Sequence, residues 1–119
     1  MTTDRRTSPD RPSFSDRQGA IAVIFVSTRT PDDPAGYDAA ATAMDRLAAV
    51  QPGYLGVDSA RGEDGVGITV SYWTDEAAAR GWREHPEHSA IREGGRDRWY
   101  SNYRVDVAQV TRGYSWARG

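Results

Sequence analysis

The sequence predicts an α+β domain of β-α-β-β-α-β order, in which a four-stranded antiparallel sheet carries its helices on one face. Three observations predict it. The run Ala20-Ile21-Ala22-Val23-Ile24-Phe25-Val26-Ser27-Thr28 is short, rich in β-branched residues and apolar at odd and even positions alike, as in a strand buried on both faces. Tyr37, Ala40, Ala41, Met44, Leu47, Ala48 and Gln51 recur at helical spacing, which predicts an amphipathic helix over about 35–50. Glu63-Asp64-Gly65 places Asp-Gly between two strand-like runs, a hairpin signal.

The remaining elements follow in order. Residues 1–18 carry alternating charges, prolines and serines, with Phe14 as the single large apolar side chain. Such a stretch buries too little surface to offset its ordering entropy, so a flexible N-terminal arm is expected, followed by one domain over 19–119. Thr30-Pro31-Asp32-Asp33-Pro34 turns the chain into the first helix, and Gln51-Pro52-Gly53 ends it. Tyr54 to Ala60 reads as the second strand. In the third, Val66, Ile68, Val70 and Tyr72 share one face, and Gly67, Thr69, Ser71 and Trp73 the other. Thr74-Asp75 caps a helix in which Ala78, Gly81 and Trp82 share a face, and Pro86 begins a further helical segment, so a break is expected near His85. Gly94-Gly95 is expected to end or loosen that segment. Trp99 to Thr111 reads as the last strand, with Trp99 and Tyr103 on one side and Tyr100 and Arg104 on the other in the absence of a bulge.

This order is that of the ferredoxin-like split βαβ fold. A first strand apolar on both faces leaves one greasy side beyond the reach of the helices. Two sheets packed face to face would cover it, so a homodimer forming a dimeric α+β barrel is expected.

Composition removes several chemistries. The chain has 119 residues and a net charge of -2, enough for one core. Without cysteine, thiolate catalysis, disulfides and iron–sulfur ligation are excluded. All 15 basic residues are arginine, so neither a Schiff-base lysine nor a phosphate-loop lysine exists. The arginines are mixed with 17 acids, unlike the one-signed surface of a nucleic-acid binder. No apolar run approaches a membrane span and the start lacks a secretory pattern, so a cytoplasmic location is expected. His85 and His88 lack a third histidine and are separated by Pro86, so no metal site is read.

All four tryptophans, four of the six tyrosines and both histidines fall between Tyr72 and Trp116, a density suited to walling a pocket or sealing an interface. Within that stretch, Tyr72-Trp73-Thr74-Asp75-Glu76-Ala77-Ala78, Trp82, His85-Pro86-Glu87-His88, Gly95-Arg96, Trp99-Tyr100 and the closing Val107, Val110, Arg112 and Tyr114 resemble the antibiotic biosynthesis monooxygenase family over about residues 20–116. The resemblance implies the dimeric barrel and an oxygenase that needs no cofactor, acting on a small aromatic, polyketide or quinol-like molecule. Such chemistry asks the protein for proton removal, stabilisation of an anion and a dry pocket. Trp82 matches a helix tryptophan that lines the cavity in several relatives.

His88 is read as a proton acceptor, and Asn102, the only asparagine, as an amide able to orient a polyphenol together with Tyr100 and Tyr103. Trp82, His88 and Asn102 are thus the catalytic candidates. Tyr72, Trp73, Trp99, Tyr100, Tyr103 and Arg96 are the substrate-binding ones, with Arg96 placed for a carboxylate or phenolate. Tyr72 and Trp73 alternate, so only one of them can face the helices. A non-catalytic dimeric module binding a small hydrophobic molecule is the alternative, as is haem binding or degradation through His88. A haem-degrading relative would be expected to carry an asparagine on its first strand, and residues 20–29 contain none.

Overall fold

In the computed structural model, residues 17–119 are described. The arm expected over 1–18, Phe14 with it, lies outside the described residues apart from Arg17 and Gln18. The elements are β1 (Ile21–Arg29), α1 (Pro34–Ala49), β2 (Tyr54–Arg61), β3 (Val66–Trp73), α2 (Glu76–Glu84), α3 (Pro86–Arg98) and β4 (Tyr100–Gln109). The strands form one sheet in the order β2-β3-β1-β4, antiparallel at each pairing. This is the ferredoxin-like arrangement, with the expected break in the second helical region at His85. Among the described residues no helix is long and apolar enough to cross a membrane.

Local chemistry sets each boundary. Asp33 precedes Pro34 at the start of α1 and its Oδ1 accepts from the Gly36 amide at 3.1 Å, while its Oδ2 accepts from Trp99 Nε1 at 3.3 Å. One carboxylate therefore both caps α1 and anchors the far end of α3. Asp75 caps α2 by accepting from the Ala78 amide at 2.8 Å. His85 Nδ1 accepts from the Glu87 amide at 3.2 Å, so this histidine serves as the N-cap of α3.

The register sorts the sheet into two faces. Ile21, Val23 and Phe25 lie opposite Trp73, Ser71 and Thr69 of β3, and Val23 and Phe25 lie opposite Val107 and Val105 of β4. This is the helix-facing side. Its core joins Ile21, Ala48, Trp73, Ala79 and Trp82, with Met44, Leu47, Tyr54 and Ala78 packed around them. Trp73 is fully buried, and its indole N–H is satisfied by Ser71 Oγ at 3.0 Å. On the opposite face Ile24, Val26 and Val70 are half-buried, while Val66 and Ile68 are exposed. No helix of the described residues covers them.

Under the open end of the helix-facing side, Arg61 reaches across β3 to the fully buried Ser27, donating from Nη2 to its hydroxyl at 2.9 Å and to Tyr37 Oη at 3.1 Å. Gly67 makes this possible, since a Cβ there would stand 2.5 Å from the guanidinium carbon.

Four expectations are corrected. Gly94-Gly95 does not end α3, which runs on to Arg98; Gly95 is buried against Tyr100, whose ring would lie 2.9 Å from a Cβ at that position. Packing there overrides the low helix propensity of the glycine pair. Trp99 belongs to the C-cap of α3 and not to the last strand, which begins at Tyr100. A register shift also intervenes: Thr28 pairs with Asn102 but Arg29 with Tyr100, so Tyr100 swings to the same side as Tyr103. In α2 the buried residues are Ala79 and Trp82, whereas Gly81 is exposed.

Trp73→Ala removes the largest fully buried side chain and is expected to lower stability by roughly 3–5 kcal/mol. Urea unfolding followed by circular dichroism measures this, and a loss under about 1 kcal/mol would show that the tryptophan is not the centre of the core.

Candidate active site

Between the helix-facing side of the sheet and the three helices lies a cavity of about 510 Å³. Its size suits a small aromatic molecule. The sheet contributes Val23, Phe25, Thr69, Ser71, Val105 and Val107, and α1 contributes Tyr37, Ala41, Met44 and Ala48. The helices α2 and α3 close it with Ala79, Trp82, His88, Ile91 and Arg92.

The best-defined part of the wall is an aromatic stack. Trp82 stacks on Trp73, with ring centroids 6.0 Å apart and planes at 24°. His88 stacks on the other ring partner, Trp82, at 4.2 Å and 13°. His88 Nδ1 lies 2.9 Å from the Trp82 carbonyl oxygen. A carbonyl only accepts, so Nδ1 carries the proton and the neutral ring keeps Nε2 as an acceptor. No group among the described residues bonds that nitrogen.

Burial pulls the His88 imidazole below its ordinary value of 6.5; the carbonyl bond opposes this, and Arg92, Arg83 and His85 add to the depression. At neutral pH the ring is therefore an unprotonated base on the cavity wall. At the other end, Phe25, Tyr100 and Tyr103 cluster with centroid separations of 5.3 to 6.0 Å. Burial, reinforced by the Tyr37 phenol, pushes Tyr100 well above the usual phenol range, against the pull of Arg61 and Arg29. Tyr100 is a neutral hydrogen-bonding group under all ordinary conditions.

The cavity brings together Trp82, His88, Trp99, Tyr100 and Tyr103 of the residues singled out in the sequence. Trp73 stands behind Trp82 as its support. Arg96 is exposed and donates from Nε to the Tyr103 hydroxyl at 2.6 Å; that bond raises its own pKa and orients the tyrosine. Tyr72 and Asn102 are not brought to the cavity. Strand alternation turns Tyr72 to the opposite face, where the Arg17 guanidinium lies 3.9 Å over its ring. Asn102 is exposed on that same face and accepts from Thr28 Oγ1 at 3.2 Å.

Sequence reasoning had not singled out Phe25, Tyr37 or Arg92 as wall residues. Phe25 and Tyr37 carried the signal in their strand and helix periodicity; Arg92 shares the His88 face of α3 by its spacing of four. Among the described residues no group of acidic or histidine side chains is placed to hold a metal.

The buried imidazole carries a pH consequence. The folded-state pKa is depressed, so His88 favours the fold fully above pH 6.5 and this contribution is lost as pH falls through the folded value. His88→Phe is expected to flatten the loss of stability below pH 6.5, read as urea midpoints across pH 5–8. Identical slopes for the variant and the parent chain would contradict the assignment.

Comparison with known proteins agrees with this architecture. The profile described as antibiotic biosynthesis monooxygenase matches residues 20–94. The chain is 53% identical over 91 residues to YqjZ of Bacillus subtilis (strain 168), covering 76% of this chain and 79% of that protein. Among solved structures it is similar to SnoaB, a cofactor-independent oxygenase from Streptomyces nogalater, with a TM-score of 0.66 at 17% identity over 77% of this chain and 93% of that one. Rv0793 from Mycobacterium tuberculosis gives 0.67 at 18% identity, over 83% and 99%. At those identities the structural likeness shows the fold alone, whereas the profile match spans more than half of the sequence. The chain belongs to the antibiotic biosynthesis monooxygenase family.

Proposed function

We propose that this protein is a cofactor-independent monooxygenase that oxidises a small aromatic or quinol-like molecule with dioxygen inside the cavity of each subunit, and that it works as a homodimer in the cytoplasm. The observation that carries the reading is His88: a neutral imidazole stacked at 4.2 Å on Trp82, with Nδ1 tied to a carbonyl and Nε2 open, on the wall of an aromatic cavity. Such a base supports the proton removal that a carbanion-type oxygenation asks of its protein.

In the proposed reaction His88 Nε2 takes the proton of an enolic or phenolic O–H. The resulting anion gives one electron to dioxygen, the two radicals join at a ring carbon, and the proton on His88 returns to the peroxide. Loss of water then leaves a carbonyl. A methylene is thereby converted by one dioxygen to a carbonyl and one water, with all four electrons supplied by the substrate. Trp82 and Tyr100 line the cavity that receives the ring, and Tyr103, held by Arg96, offers a phenol to a substrate oxygen.

The homodimer reading rests on the sheet face that the helices leave open, where Val66 and Ile68 stand exposed, and on Tyr114 and Trp116 near the C-terminus, exposed at 88% and 76%. Exposed apolar side chains on an open sheet face of a small domain are suited to a partner sheet. Tyr72 and Asn102 would then belong to the subunit interface. A non-catalytic binding module is favoured by no observation over the oxygenase, and the same experiment separates them.

Anthrone is the probe. Oxygen uptake above the protein-free rate, one dioxygen per anthraquinone formed, is expected, with a loss of about 10²–10⁴-fold in His88→Gln. Tight anthrone binding without uptake would leave the binding module, and a Soret band with haemin abolished in His88→Ala would point to haem instead. For assembly, light scattering is expected to give twice the 13.1 kDa chain mass, falling to a monomer in Ile68→Arg. A monomeric parent chain overturns the barrel.

A further inference from the structure

The charged groups around the cavity are unevenly matched. Glu76 pairs with Arg80 at 3.6 Å, whereas Arg83 and Arg92 have no carboxylate within ion-pair distance among the described residues. Both belong to the cavity wall, and both act electrostatically on His88.

Arg92 is the more informative of the two. It sits one helical turn after His88 on α3, which puts both side chains on one face. Its Nη1 donates to the Arg83 carbonyl at 3.1 Å, across to the end of α2, and its Nη2 reaches Ser89 Oγ at 3.5 Å. These bonds fix the plane of the guanidinium. Of the remaining donors, Nε–H is buried and has no acceptor among the described residues. A buried donor without an acceptor is costly to keep, and a charged one more so. Hydrophobic and phenolic groups make up most of the surrounding wall, and none of them bonds this N–H. A ligand oxygen entering the cavity would complete Arg92, and an anionic one answers both its charge and its open donor.

We propose that Arg92 is a specificity-determining residue that binds an anionic oxygen, so that the cavity selects planar aromatic molecules already carrying a carboxylate or an ionised enol over their neutral counterparts. This rests on the aromatic-binding reading of the cavity but not on turnover.

The test uses two probes of the same ring system, 2-hydroxy-1,4-naphthoquinone, an acidic enol, and its neutral ether 2-methoxy-1,4-naphthoquinone. Binding to the full chain at pH 7.5 is followed by quenching of tryptophan fluorescence. The parent protein is expected to bind the hydroxy compound at least about tenfold more tightly, a preference typical of one charge-assisted contact. Arg92→Gln is expected to abolish the preference by weakening the hydroxy compound far more than the ether, and Arg92→Lys to retain part of it. Ser89→Ala, which removes the 3.1 Å bond from Ser89 Oγ to the Arg83 carbonyl and so loosens the same tie between α2 and α3, is expected to leave the preference intact and so reports any merely structural effect.

Equal affinity of the parent for both quinones, or a preference surviving in Arg92→Gln, would overturn the assignment. A preference lost equally in Ser89→Ala would make Arg92 a structural strut and overturn it as well. Binding of neither quinone would overturn the aromatic-binding reading along with it, an outcome distinguishable from the first two.

Discussion

The structure depends on a column of three flat rings running from sheet to helix: Trp73 on β3, Trp82 on α2 and His88 on α3. Trp73 is fully buried and is fixed at its indole nitrogen by Ser71. Trp82 lies against it, and His88 lies against Trp82 while bonding to the tryptophan's own carbonyl. Each layer limits the freedom of the next, so the orientation of the imidazole is inherited from the sheet. Stacked aromatic pairs contribute about 0.5–1.5 kcal/mol beyond the area they bury. What they contribute here besides energy is a fixed tautomer at a chosen place on the cavity wall.

Much of this was legible in the residues. Asp-Gly between alternating runs, the 3.6-residue spacing of Tyr37 to Leu47 and the Pro86 break translate directly into backbone hydrogen bonds, because each is decided within a few residues. The apolar first strand foretold a sheet with two buried sides, and the helix-facing half of that expectation is visible. Three matters were not legible. The bulge opposite Thr28 depends on how β4 meets β1, seventy-odd residues away in sequence, and it alone decides that Tyr100 joins Tyr103. Gly94-Gly95 resembles a helix end until the Tyr100 ring is seen lying on Gly95. Asn102, attractive as a lone amide among tyrosines, lies on the opposite face from the cavity because alternation is absolute once the register is set.

The cavity divides its labour by element. The sheet and α1 supply most of the apolar wall together with Tyr37 and Tyr103, while α2 and α3 supply the imidazole and the guanidinium groups. The cations and the base are thereby gathered on one side of the cavity, and a bound ring would have one cationic edge. This asymmetry is what the oxygenation proposed above requires, since an anion must be formed at one edge and meet dioxygen where water is scarce. Among the described residues no carboxylate lies within ion-pair distance of Arg92, which keeps that part of the wall receptive.

The seat of Arg61 has a further meaning for how this chain can change over time. The guanidinium lies over Gly67 and holds the hydroxyl of Ser27 in the sheet interior. A side chain at 67 would push the flexible end of Arg61 away from the Ser27 hydroxyl, and a shorter residue at 61 would leave that buried hydroxyl without this donor. The three positions share one contact, so a change at 67 is expected to be easier to accept where 61 and 27 change with it.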